Sequence, residues 1–258
     1  ADWESEWQQT AFFGEISYDV TDRLTATVGA RMFESEFSSP GGGWAGYFYN
    51  SKASDDAPGN GGSTDDIIYK FNLTYDVSDN LLAFFNYAEG FRPGGGNTEG
   101  ATNPNVPETY QPDVLDSYEF GWKMRSDDGR TTFNGAVYHM EWTDFQTSIY
   151  DLLISPLIFR ANAGNAEVDG IEAELNTLVG ERLMLGVGAT YNQSQLTKDF
   201  NSTVDPDVVW APKGRRLPYS PELRYSANAR YTWEQSNDAS GYAHISYSYT
   251  DDRWNLLI

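Results

Sequence analysis

The chain has 258 residues, no cysteine, and 38 acidic against 17 basic side chains, a formal net charge of -21. Without cysteine there is neither a disulfide framework nor a thiolate metal site, and so negative a surface repels phosphate, which argues against nucleic acid as a partner. Hydrophobic residues make up 40% of the chain and aromatics 15%, a mixture that suits sheets with one greasy and one wet face and suits a helical bundle poorly.

No run of about 18 apolar residues is present, so no transmembrane helix is expected. The opening Ala1-Asp2-Trp3-Glu4 lacks the basic stretch and apolar core of a signal peptide. A membrane protein built from this sequence would therefore have to cross with strands. Period-two alternation dominates and predicts ten of them, roughly over 7–20, 24–37, 65–77, 81–91, 114–126, 130–146, 162–178, 183–197, 222–234 and 241–250. In the second, Leu24, Ala26, Val28, Ala30 and Met32 fall on one parity. In the third, Ile67, Tyr69, Phe71, Leu73, Tyr75 and Val77 alternate with Ile68, Lys70, Asn72, Thr74 and Asp76. In the fifth, Tyr118, Phe120, Trp122 and Met124 alternate with Ser117, Glu119, Gly121, Lys123 and Arg125. In the ninth, Leu223 to Trp233 sets apolar residues against Arg224, Ser226, Asn228, Arg230 and Thr232. A slip of one residue would put those arginines among the apolar set, so register is strongly specified.

Connections alternate between short and long. Thr21-Asp22-Arg23, Ser78-Asp79-Asn80, Asp127-Asp128-Gly129, Val179 to Arg182 and Gln235 to Ser240 are tight polar turns, whereas 38–64, 92–113, 147–161 and 198–221 are long. Short turns on one side and long loops on the other are the asymmetry of outer-membrane barrels. The polar parity also holds Gly29, Gly121, Gly135, Gly170, Gly186 and Gly188, read here as small residues facing a lumen that something fills closely.

Four stretches resemble the TonB-dependent outer-membrane receptors. They are Tyr87-Ala88-Glu89-Gly90-Phe91-Arg92-Pro93-Gly94-Gly95-Gly96-Asn97; Pro112-Asp113 with Tyr118-Glu119-Phe120-Gly121-Trp122-Lys123; Asn165 through Gly170-Ile171-Glu172-Ala173-Glu174; and Pro218-Tyr219-Ser220-Pro221-Glu222. Asp113 stands where the family usually has Glu. The resemblance implies an all-β fold, an antiparallel up-and-down transmembrane β-barrel. Ten of about 22 strands would be present, so the barrel would be open or partial. Residues 1–258 then read as a partial barrel domain in which the plug and the C-terminal closing strands are absent. It further implies ligand-gated uptake of a scarce nutrient, foremost a ferric siderophore, across the outer membrane of a Gram-negative bacterium. The implied partners are the TonB energy-transducing complex, acting through the plug, the small-molecule ligand and the lipid bilayer. No enzymatic activity, cofactor or metal is expected. The competing classes are a ten-stranded outer-membrane barrel enzyme of the protease kind, whose first and last strands would pair, and a passive porin-like channel.

Candidate site residues follow from position. Trp44, Tyr47 and Tyr49 in the first long loop (with Phe48), Arg92 and Asn97 at the outer mouth, and Trp210 in the last long loop are the expected ligand contacts, since rings there can stack on siderophore or sugar. Glu119, Lys123, Glu172 and Glu174 share the polar parity and are expected to face the lumen and the plug. A charge on the lipid face would cost about 2–4 kcal/mol at the midplane. Gly41-Gly42-Gly43 and Gly94-Gly95-Gly96 lack the Lys-Ser/Thr of a phosphate loop. His139 and His244 both read as polar-face residues, too few for a zinc site, and a catalytic histidine would need Asp144 or another carboxylate beside it. Asp205 and Asp207 fall short of a calcium site.

Overall fold

The computed structural model describes residues 6–39, 60–97, 100, 103–235 and 239–258, and every regular element among them is a strand. The chain begins with β1 (Glu6–Thr21), β2 (Leu24–Ser39), β3 (Asn60–Ser78) and β4 (Leu81–Arg92), followed by the short β5 (Gly95–Gly96) and β6 (Thr109–Tyr110). Then come β7 (Asp113–Arg125) and β8 (Thr131–Thr143), the short β9 (Gln146–Ile149) and β10 (Phe159–Asn162), and β11 (Ala166–Val179) and β12 (Leu183–Leu196). The short β13 (Phe200–Asn201) and β14 (Val209–Ala211) precede β15 (Leu223–Gln235) and β16 (Ala239–Thr250).

The ten long strands form one antiparallel sheet in the order β1-β2-β3-β4-β7-β8-β11-β12-β15-β16, an up-and-down meander, as expected from the alternation. β1 and β16 are its two edges and do not pair, so the sheet is not closed as a ten-stranded barrel would be. The three short pairs are small hairpins inside the long connections.

Residues directly opposite one another share a face, and two unlike rows cross the sheet side by side. One runs Leu73, Phe85, Phe120, Val137, Ile171, Tyr191; its neighbour runs Asn72, Asn86, Glu119, Tyr138, Gly170, Asn192. The apolar face is not covered by a second layer: Phe120, Val137, Ile171 and Tyr191 are all exposed. Its tyrosines climb across the wall. Tyr225 and Tyr249 are opposite each other, and Tyr225 meets Ala189, one row below Tyr191. Tyr191 in turn shares a row with Phe120, one below Tyr118 and Tyr87, and Tyr87 meets Phe71, one below Tyr69. A belt that rises steadily across neighbouring strands is what strands tilted to a common axis produce. Above it the same face turns acidic, with Glu89, Asp116, Glu141 and Glu167 in one row.

The register corrects two readings. His139 and Gly135 lie opposite Tyr118 and Trp122, on the apolar face rather than the polar one. Gly121 and Gly170 are also not gaps awaiting a lumen filler. The Phe84 ring lies across Gly121, where a Cβ would come within 2.4 Å of it, and Tyr138 covers Gly170 at 2.2 Å. A cross-strand ring lying flat on the sheet requires the residue beneath it to have no side chain.

Three strands differ from those expected. β3 begins at Asn60 rather than near 65, inside the expected long connection. The segments over 130–146 and 162–178 are interrupted at Asp144 (φ 55°) and Gly164 (φ 84°), both left-handed. Phe145 N–H donates to the Gly164 carbonyl at 2.7 Å, so β9 and β10 leave the wall as a separate hairpin. A third break is lateral. β3 and β4 pair only from Lys70/Ala88 downward. Above that point Glu89 accepts the freed Tyr69 N–H at 2.8 Å, and Phe91 stacks on Phe33 with centroids 3.6 Å apart.

The buried core sits at the outer end of the wall rather than in its middle. Phe145, Ile149, Phe159, Leu196, Phe200, Ala211, Leu217 and Leu257 form it, with Trp142 and Val168 packed alongside. Trp142, Val168 and Leu196 belong to the polar parity, so the outer loops lean over that side of the sheet.

Candidate functional site

The polar face curls around a cavity of about 960 Å³ lined by residues from β3 through β16. Glu119, Lys123, Glu172 and Glu174 all line it, together with Arg224, giving three carboxylates against two cations. Alternation alone delivers them. Glu119 is opposite Asn86, Lys123 opposite Asn134, and Asn134 opposite Glu174, so residues 55 positions apart in sequence share one patch. Amides space the charges. Asn86 Nδ2 donates to Glu119 at 3.4 Å, Asn72 Nδ2 to Asn86 Oδ1 at 3.1 Å, and Asn176 Nδ2 to Glu174 at 2.6 Å. Lys123 Nζ lies 5.8 Å from the Phe84 ring centroid. Such a surface suits polar contacts and offers both signs of charge.

Over one end of the cavity stands the loop cap. Arg92 forks onto Asp113 and donates to the Gln146 carbonyl at 3.1 Å, with its guanidinium 4.7 Å from the Trp142 ring centroid. Asn97 is only 7% exposed. Its side chain bonds the Arg160 N–H (2.8 Å), the Arg160 carbonyl (2.8 Å) and the Pro107 carbonyl (2.9 Å). Trp210 is half-buried, edge-on to Phe200 at 5.3 Å. Arg92, Asn97 and Trp210 are thus gathered in the cap, where their contacts knit loops together. Trp44, Tyr47, Phe48 and Tyr49, and the glycines at 41–43, lie outside the described residues.

His139 Nδ1 is 2.8 Å from Asp169 and its Nε2 is 3.4 Å from Glu141, on the apolar face. Both partners are carboxylates, and Asp144 is not among them. His244 is opposite Arg230, on the cavity parity. Asp205 accepts the Asp207 N–H at 3.1 Å as a turn cap.

Sequence reasoning passed over three features. Arg224 belongs with the cavity charges and had been noted only as a polar-face residue. Gln146 Nε2 donates to the carbonyls of Pro93 and Gln111 at 3.0 and 2.9 Å, fixing two loop ends. The turn between β9 and β10 presents Leu152, Leu153 and Ile158 to solvent, with Leu153 94% exposed; the run Leu152-Leu153-Ile154 was its only signal.

An uncovered apolar face girdled by tyrosine, backed by a charged cavity under a loop cap, is the architecture of a transmembrane β-barrel wall. The family model of the TonB dependent receptor-like β-barrel matches residues 4–256, and the chain belongs to that family. It is 30% identical over 133 residues to the ferric-pyoverdine M114 receptor PbuA of Pseudomonas sp. (strain M114), covering 52% of this chain and 15% of that protein. It is 26% identical over 145 residues to the "Probable TonB-dependent siderophore receptor PiuA" of Acinetobacter baumannii, covering 54% and 19%. Among solved structures, the ferric yersiniabactin uptake receptor FyuA of Yersinia pestis superposes with a TM-score of 0.68 at 16% identity, over 95% of this chain and 34% of that one. The chain therefore spans well under half the length of these relatives.

Proposed function

We propose that this chain forms a stretch of the wall of an outer-membrane receptor that takes up a scarce nutrient, foremost a ferric siderophore, with energy from the TonB complex. The carrying observation is the two-faced wall: rings and aliphatic side chains uncovered on one side, and Glu119, Lys123, Glu172, Glu174 and Arg224 gathered in the cavity on the other. On this reading the apolar face meets acyl chains. The open edges at β1 and β16 pair with further strands of a barrel of about 22. The cavity receives a plug, whose charged contacts with Glu119, Lys123, Glu172 and Glu174 loosen when TonB pulls. Family membership and the siderophore receptors named among its relatives support the cargo class. The task is capture and passage, with no covalent change to the ligand.

Arg92, Asn97 and Trp210 then serve capture by holding the outer rim in shape, and Trp44, Tyr47 and Tyr49 by offering rings to the ligand. A closed ten-stranded barrel enzyme would need β1 and β16 to pair, and they do not. The test is growth of a strain deleted for the gene, under iron limitation, on a panel of ferric siderophores. Loss of growth on one of them, restored by the gene, is expected. Unchanged growth on every chelate tried, with unchanged uptake of labelled iron, would refute the reading.

A further inference from the structure

The outer connections 93–112, 144–165 and 197–222 are far apart in sequence, yet each is hydrogen-bonded to another through side chains, of which Asn97 is the buried one. Asn97 joins the first to the second through both the N–H and the carbonyl of Arg160. Asn103 Nδ2 donates to the Ile154 carbonyl at 2.9 Å. Gln111 and Asn162 bond reciprocally, with Gln111 N–H to Asn162 Oδ1 at 2.8 Å and Asn162 Nδ2 to the Gln111 carbonyl at 3.0 Å. Thr203 Oγ1 donates to the Asn105 carbonyl at 3.3 Å, tying the third connection to the first. All three share one apolar core, to which they contribute Val106, then Phe145, Ile149 and Phe159, then Phe200 and Ala211.

We infer that these three connections open and close as one body, and that Asn97 is the clasp that makes them do so. A loop that swung out alone would uncover its share of the common core. It would also pull the buried Asn97 amide away from the Arg160 backbone, and a buried polar group that loses such bonds is expensive. Asn97 is the strongest single link because its amide serves three backbone groups across two loops while its own N–H donates to the Glu108 carbonyl at 2.9 Å. It acts as a positioning residue. The outer rim supplied by this chain is therefore preformed, and a ligand meets a fixed shape rather than loops that wrap it one at a time. The inference stands on the loop geometry and is independent of which ligand is carried.

Amide hydrogen exchange of the intact outer-membrane protein in detergent micelles tests it, comparing Asn97→Ala and Asn103→Ala with the parent. The informative amides are remote from both substitutions: Phe145 and Ala163 in the second connection, and Ser202 and Val208 in the third, all hydrogen-bonded within the cap. Both variants are expected to accelerate all four on the order of ten- to a hundredfold, as one cooperative opening, while the amides of β7, β8, β11 and β12 keep the parent's protection. Acceleration confined to 93–112, or reaching the remote amides in only one variant, would make the loops independent and overturn the inference. Loss of protection in the wall strands as well would assign Asn97 to the folding of the barrel and overturn it equally.

Discussion

Arg92 and Asp113 face each other across the last rung of β4 and β7, and Asp113 is completely buried beneath the guanidinium that grips it. Gln146 N–H donates to the same carboxylate at 2.9 Å, so one acid anchors the outer ends of two wall strands and the start of a loop hairpin. Removing one partner of a buried pair leaves a desolvated charge, typically at a cost of about 3–5 kcal/mol. The Arg92 side chain is 45% exposed, so water takes over part of its charge and a cost below that range, about 2–3 kcal/mol, is expected for Asp113→Ala. Urea titration of the protein refolded in vesicles measures this. The family's usual Glu at this place gives a second prediction. With no free space around Asp113, Asp113→Glu adds a methylene to a filled site and should destabilise by about 1–3 kcal/mol. A neutral result would show that the pocket adjusts.

The apolar face makes a directional prediction. Val137 lies mid-wall between Phe120 and Ile171, and Asn134 lies on the cavity side of the same strand. Val137→Arg should lower stability in vesicles by about 2–4 kcal/mol, whereas Asn134→Arg, beside Glu174, should cost under about 1 kcal/mol. Equal costs at the two sites would mean that the faces are not differently solvated.

Most of the wall was legible because the alternation is redundant: once Glu119 and Lys123 face one way in β7, their neighbours in β4 and β8 follow by pairing. β8 is where this fails. Its odd positions hold Phe133, Gly135, Val137, His139 and Glu141, and its even positions Asn134, Ala136, Tyr138, Met140 and Trp142. Both sets mix rings with polar groups, so the strand by itself does not say which side is greasy. Only its register against Tyr118 and Trp122 decides, and His139 was placed on the wrong face for that reason. The loop hairpins were illegible on other grounds. Strands of two to four residues such as β5, β6, β9 and β10 show no period, and the partner that buries Asn97 lies 63 residues further on. Aromatics in a long loop look exposed until the loop's own core is known, as Trp210 shows.

Gly121 tests the fit of ring to glycine. A Cβ there would lie 2.4 Å from Phe84 Cζ and 2.8 Å from the Gly135 carbonyl oxygen. Gly121→Ala is expected to cost about 1–3 kcal/mol, through displacement of the ring and strain against the carbonyl. Phe84→Leu should relieve part of that. A double-mutant cycle between the two should therefore show coupling of about 0.5–3 kcal/mol, measured by denaturant titration. Strict additivity would place the clash elsewhere.

Asp128, in the turn between β7 and β8, is held below the usual carboxylate pKa, first by the hydrogen bond from Ser126 Oγ at 2.5 Å and then by the Arg130 N–H at 3.0 Å. Both bonds favour the ionised form. Their contribution is thus fully present above the unfolded value of about 4 and is lost as pH falls through the lower folded one. Ser126→Ala should move the Asp128 titration upward, toward the ordinary carboxylate, when followed by NMR of its carboxyl carbon. The Arg130 amide bond persists in that variant, so the rise should stop short of the ordinary value. An unmoved titration would show that Ser126 is not the dominant cause.

The cavity charges separate structure from transport. Glu119, Glu172 and Glu174 are flanked by amides and by the cations Lys123 and Arg224, so neutralising one to glutamine removes a charge without leaving a buried partner stranded. Stability should change by no more than about 1 kcal/mol. If these carboxylates contact a plug that must shift during uptake, the effect will fall on the transport rate instead. Glu172→Gln, opposite Ala136 and Thr190 near the middle of the patch, is the sharpest case. Its uptake of labelled ferric siderophore should change at saturating ligand while the concentration for half-maximal binding stays that of the parent. A shift in binding with an unchanged maximal rate would instead make Glu172 part of the ligand's own site.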